Sequence, residues 1–227
     1  MENYALPDFN IDFGNFDPQE ITSDETINAV LAIDISPSVN AYIKDMNEAF
    51  ADFIREMQNS HIAEKLMVSI VEFNDSVAIR NGFQPIDTLQ ADQISFRPCG
   101  AGTALYDAVL TSIGNAVNYR TNLENSGVNC KTLVFVITDG EDNSSKVTAK
   151  KVKDVLDAIL AKEQSAFTFE TILFGVGNDA HFEKAQQEMG IKNLARVGNT
   201  GKEIRKMIGF ISASISNSSV ADTPISF

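Results

Sequence analysis

Residues 28–58 read NAVLAIDISPSVNAYIKDMNEAFADFIREMQ. The first six residues are a short, nearly continuous apolar run that ends at Asp34. From Tyr42 onward the apolar side chains fall at Tyr42, Ile43, Met46, Ala49, Phe50, Phe53, Ile54 and Met57, the spacing of one face of a helix. The stretch therefore predicts a buried strand over 28–34, a loop, and an amphipathic helix over 40–58. The loop holds Asp34, Ser36 and Ser38, with Pro37 between the serines. A core strand has no need of a carboxylate and two hydroxyls at its end. Two uses are open at this point: these oxygens cap the following helix, as Ser and Asp do well, or they hold a ligand.

The same rhythm continues along the chain. Strands are predicted over 65–73 (KLMVSIVEF), 76–79 (SVAI), 131–138 (KTLVFVIT), 167–174 (FTFETILF) and 193–197. Helices are predicted over 104–119, 147–162, 180–189 and 201–214. Asn74-Asp75 is a turn signal, so 65–73 and 76–79 read as a hairpin. The β-branched run 131–138 reads as a central parallel strand. Alternation of strand and helix over so long a span implies a parallel sheet covered on both faces. The expected fold class is α/β: a doubly wound, mostly parallel sheet with one antiparallel edge strand, in three αβα layers. In such sheets ligands bind beyond the carboxyl ends of the strands, where the strand order reverses.

Composition narrows the function classes. The chain has 227 residues, enough for one large domain, and a formal net charge of −13. That charge argues against nucleic acid, which needs a basic face. It suits cations or a protein partner with basic surface. Residues 1–27 hold seven acidic residues and no Lys or Arg. The expected organisation is an acidic N-terminal arm over 1–25, a domain over 26–215 and a flexible tail over 216–227. No stretch is apolar and long enough to span a membrane, and MENYALPDFNIDFG has no secretory pattern. With only Cys99 and Cys130, at a spacing unlike a metal clip, the expected setting is reducing and cytoplasmic.

Three loops share the carboxyl edge of the predicted sheet. The first carries Asp34, Ser36 and Ser38. The second, Cys99-Gly100-Ala101-Gly102-Thr103, precedes the 104–119 helix. The third is Thr138-Asp139-Gly140 at the end of the central strand. Together they offer two carboxylates and three hydroxyls, a hard oxygen set suited to Mg²⁺ or Mn²⁺ and less so to Ca²⁺. The glycines at 100 and 102 would allow Thr103 to approach an ion closely.

Asp34-x-Ser36-x-Ser38, Thr103 after a Gly-rich turn, and Asp139 before Gly140 resemble the metal-ion-dependent adhesion site of von Willebrand factor A domains. All five positions match, and the resemblance covers roughly residues 27–214. It implies that Ser36 and Ser38 coordinate the ion directly and Thr103 directly or through water. Asp34 and Asp139 then act largely through waters and hydrogen bonds, and an Asp or Glu of a protein partner completes the shell. Pro37 departs from the pattern, which commonly has a small residue there. By analogy alone, the resemblance points to a bacterial, intracellular type of single domain in a stress-response or signalling assembly.

Other motifs read differently. Gly175-Val176-Gly177-Asn178-Asp179-Ala180 has the outline of a dinucleotide loop but lacks the acidic residue about 20 positions on; a structural turn is the better reading. His61 and His181 lie outside the ion loops, and Cys99 reads as turn or core packing. The competing activity is a Mg²⁺-dependent phosphohydrolase or phosphotransfer enzyme with Asp34 as nucleophile. In its expected D-x-D pattern the second Asp supplies the acid, and here Ser36 takes that position. A third reading, an exported adhesin, has neither signal nor disulfides behind it.

Overall fold

The computed structural model describes residues 25–161, 169–177 and 181–218. The expected acidic arm and most of the expected tail lie outside them. Among the described residues six strands form one sheet: β1 Glu25–Asp34, β2 Leu66–Phe73, β3 Val77–Pro85, β4 Asn129–Thr138, β5 Phe169–Val176 and β6 Asn193–Val197. Among the described residues five α-helices accompany them: α1 Ile43–Gln58, α2 Leu105–Asn125, α3 Ala149–Leu160, α4 Phe182–Met189 and α5 Gly201–Ser218. The sheet order is β3-β2-β1-β4-β5-β6. All neighbours run parallel except β2 and β3, which form the expected antiparallel hairpin.

Strand alternation sends side chains to two separate cores. Ile27, Ala29, Leu31 and Ile33 of β1 join Leu133, Phe135 and Ile137 of β4 beneath α1 and α5. Val30 and Ala32 join Val134 and Val136 on the other face, beneath α2, α3 and α4. β1 is buried from Thr26 to Asp34, which explains its unbroken apolar reading.

This topology places the switch in strand order between β1 and β4. The chain leaves β1 toward β2 and β3, then returns to lay β4 on the opposite side of β1. Loops leaving the two central strands diverge there and open a crevice at the carboxyl edge. Asp34 ends β1, Thr138 ends β4, and Ile33 and Ile137 are register partners.

One boundary differs from expectation in a way that matters. The helix predicted from residue 40 starts at Ile43, and Pro37–Ala41 forms a 3₁₀ turn before it. Pro37 sits at the start of that turn, where its fixed φ and missing N–H cost nothing. The Ser-Pro-Ser loop is thus a tight turn joined to α1 through Tyr42.

Candidate functional site

Asp34 is 3% exposed. Its carboxylate accepts the Ser36 backbone N–H at 2.7 Å and the Thr138 hydroxyl at 2.6 Å. The Ser36 and Ser38 hydroxyls lie 2.9 Å apart, and Ser38 donates to Asp139 Oδ1 at 2.7 Å. A continuous chain of polar contacts therefore runs from the end of β4 through Asp34, Ser36 and Ser38 back to Asp139. It ties the β1 loop to the β4 loop across the switch point. Neither Ser36 nor Ser38 caps a helix: no side-chain cap bond exists at the 3₁₀ turn or at α1. The capping alternative fails on this geometry.

Thr103 arrives from the loop that precedes α2. It is buried, and its hydroxyl lies 3.6 Å from where a Cβ on Gly140 would stand. Its position is fixed by a latch between the loop after β4 and the start of α2. The Thr103 N–H donates to Asn143 Oδ1 at 2.8 Å, and the Thr103 carbonyl accepts the N–H groups of Asn143 and Ser144. Asp142 and Ser145 accept the N–H groups of Tyr106 and Asp107, and Asp107 accepts those of Lys146 and Val147. The first turn of α2 thus finds its missing acceptors in the β4 loop.

Two glycines permit this approach. Gly100 has φ +84°, and a Cβ there would strike the Asn74 side chain. A Cβ on Gly102 would strike Asn143 and Ser144. Asn74 in turn donates to the Cys99 carbonyl, and its own carbonyl accepts the Ala104 N–H. The structure thus brings Asp34, Ser36, Ser38, Thr103 and Asp139 to one end of the sheet.

Electrostatics follow from burial. Desolvation pushes the Asp34 carboxyl above the usual carboxylate range; bonds from Thr138 and Ser36 oppose it, and the nearby Asp139 charge adds to it. Desolvation also raises Asp139, against the hydrogen bond from Ser38. Two carboxylates so placed favour a cation beside them. Among the described residues no three His, Cys, Asp or Glu side chains are placed to share an ion. The candidate set draws most of its donors from hydroxyls, a hard-oxygen chemistry that fits a small divalent cation. Ser36, 2% exposed, has no carboxyl to serve as the acid of a phosphohydrolase.

Sequence reasoning missed several residues. Thr138 reads as the last strand residue, yet it holds Asp34. Asn74, Asp107, Asp142 and Asn143 carry only ordinary turn signals. His181 does reach the rim of the site, pairing with Glu141. Cys99 is exposed, so core packing does not describe it; its Sγ accepts from Asn74 at 3.2 Å.

The glycine motif at the end of β5 falls partly outside the described residues, which stop at Gly177 and resume at His181. Within them, a Cβ on Gly175 would run into the buried ring of Phe182, the first residue of α4. Close packing accounts for that glycine. Gly175→Ala is expected to cost about 1–3 kcal/mol through overpacking, measurable as a lowered thermal midpoint.

No family model and no curated protein matches the chain. Solved structures do match in fold. Proximal thread matrix protein 1 from the mussel byssus is 15% identical, with a TM-score of 0.62 over 85% of this chain and 46% of that one. A form of that protein has a zinc-occupied MIDAS motif, at 15% identity and a TM-score of 0.57 over 84% of this chain and 46% of that one. A von Willebrand factor type A protein from Catenulispora acidiphila is 12% identical, with a TM-score of 0.55 over 85% of this chain and 43% of that one. The chain thus spans less than half the length of each. The fold is that of a von Willebrand A domain. Among the described residues no helix is long and apolar enough to cross a membrane.

Proposed function

We propose that this chain is a metal-dependent protein-binding module. A divalent cation, Mg²⁺ or Mn²⁺, is held by Ser36, Ser38 and Thr103, with Asp34 and Asp139 acting through hydrogen bonds and water. The ion supplies a directed contact to an Asp or Glu of a protein partner. One observation carries this reading: the unbroken path from Asp34 through Ser36 and Ser38 to Asp139 at the switch point. The zinc-occupied MIDAS motif of the mussel protein supports it as a likeness of fold and site type. The two free cysteines fit a reducing, cytoplasmic setting. Service in a stress-response or signalling assembly rests on fold-level analogy. We assign the site no catalytic turnover. Hydrolysis of a generic phosphate ester, abolished by Asp34→Asn, is the result that replaces this reading with the phosphohydrolase one.

The direct test is thermal unfolding of chelator-treated protein titrated with Mg²⁺ and with Mn²⁺. An ion that binds only the folded state adds about 2.7 kcal/mol at a hundredfold excess over Kd, or roughly 5–10 °C for a chain of this size. Asp139→Ala should remove the shift. An unchanged midpoint at millimolar Mg²⁺ and Mn²⁺, with no chelator-sensitive retention of acidic peptides, would falsify the reading.

A further inference from the structure

Thr103 stands outside the hydrogen-bonded path that joins Asp34, Ser36, Ser38 and Asp139. Its place beside that path is set through its main chain, and Asn143 sets it. The Asn143 carboxamide oxygen accepts the Thr103 N–H at 2.8 Å, and the Asn143 N–H donates back to the Thr103 carbonyl at 3.0 Å. One residue thus holds Thr103 by both of its polar main-chain groups. The same Oδ1 accepts the Ser144 hydroxyl at 2.8 Å, so both its lone pairs are used and the carboxamide cannot turn without losing two bonds. The clasp is close: a Cβ on Gly102, the residue before Thr103, would strike that oxygen. Asn143 is itself exposed, so these bonds, and not burial of its side chain, keep it against Thr103. Asp107 secures the far end of the same loop, accepting the N–H groups of Lys146 and Val147 at 3.0 Å each.

We propose that Asn143 is a positioning residue of the ion site: its carboxamide holds the Thr103 main chain so that the Thr103 hydroxyl stands at a fixed place beside the Asp139-Gly140 turn. This inference rests on the ion-binding reading above. A hydroxyl carries no charge to draw an ion toward it, and magnesium demands a near-ideal octahedron at about 2.0–2.1 Å. A neutral oxygen in so strict a shell contributes only where the chain behind it is held still. Groups that orient metal ligands from behind typically account for about 10- to 100-fold in affinity. Asn143 and Asp139 share the loop between β4 and α3. The loop that carries Asp139 to the site therefore carries Thr103 there as well, and the spacing of the two is a property of that one loop.

The experiment is calorimetric titration of the full chain with Mn²⁺, native beside Asn143→Ala and Asn143→Asp. Alanine deletes the acceptor, whereas aspartate keeps an oxygen for the Thr103 N–H. The titrations are run at about 1 M salt, where an added exposed charge is screened within about 3 Å. The expected result is a Kd raised about tenfold or more in Asn143→Ala and restored in Asn143→Asp. A merely structural role lowers the thermal midpoint of Asn143→Ala and leaves its Kd alone. Equal affinities of the native chain and Asn143→Ala overturn the inference while leaving the ion site intact, and so does an Asn143→Asp as weak as the alanine variant. No Mn²⁺ binding by the native chain overturns the ion reading and this inference with it. Should Asn143→Ala fail to fold, amide hydrogen exchange of the native chain decides. On adding Mg²⁺, residues 100–104 and 142–146 should gain protection together, because an ion on the Thr103 hydroxyl resists opening of the clasp. Protection gained around residues 34–38 without those two segments overturns the inference alone.

Discussion

Metal-free Asp34→Asn is expected to be at least as stable as the native chain at neutral pH, and to gain nothing from Mg²⁺ or Mn²⁺. Asp34 is almost fully buried, and desolvation, reinforced by the charge of Asp139, holds its carboxyl above the usual range. The sign of the pH dependence follows. An acid whose folded pKa lies above its unfolded value adds stability only below the unfolded value, about 3.9 for Asp. That stability is lost as pH rises through the folded pKa. At neutral pH the ionised side chain is therefore a liability to the metal-free fold. Asparagine has the same shape. Its carbonyl can accept the Ser36 N–H, and its amide can donate to the Thr138 hydroxyl, which is free to rotate. The native chain should recover about 2.7 kcal/mol at a hundredfold excess of ion over Kd; the Asn variant should recover none. Urea unfolding at pH 7 and at pH 4, with and without Mn²⁺, reads all of these terms. A metal-free loss above about 1 kcal/mol, the net worth of an ordinary hydrogen bond, would make Asp34 a structural anchor rather than an ion-site residue.

Much of the fold was legible because the strands are buried on both faces. Residues 28–34 and 131–138 cannot be mistaken for surface helix, and the helices between them repeat their apolar residues cleanly. The hairpin was legible from Asn74-Asp75, and the parallel order from the alternation. The placement of the five candidate oxygens followed from topology, since each lies at a strand end or before a helix. What supports them was not legible. Asp107 reads as an exposed helix residue, yet it accepts two N–H groups from a loop some 40 positions away. Asn143 reads as loop filler, yet it fixes Thr103. Such contacts join residues far apart in sequence through single hydrogen bonds, and no periodicity records them.

Phe50→Ala is expected to destabilise the fold by about 3–5 kcal/mol yet leave the ion-dependent increment unchanged. Phe50 is 1% exposed on α1. Its ring meets Phe96 edge-on at 5.0 Å and Phe53 at 5.6 Å. Truncation leaves a cavity that the surrounding rings cannot close without leaving their rotamers, and the thermal midpoint should fall on the order of 10 °C. The question is whether the site falls with it. Phe96 lies on the segment that leads to Thr103, and Asn47 pins its backbone through two hydrogen bonds. Beyond Phe96, however, that segment is held independently. The Cys99 N–H donates to Ile35, the Ala101 N–H to Asp75 and the Ala104 N–H to Asn74. All three acceptors sit in the turns just beyond β1 and β2. The candidate site is therefore anchored to the sheet, with the α1 core beneath it adding stability but not geometry. Perturbations that share no partners add, so the gain with Mn²⁺ should match that of the native chain within about 0.5 kcal/mol. A gain that shrinks in step with the stability would mean that Thr103 depends on the α1 core, and that the carboxyl edge alone does not hold the site.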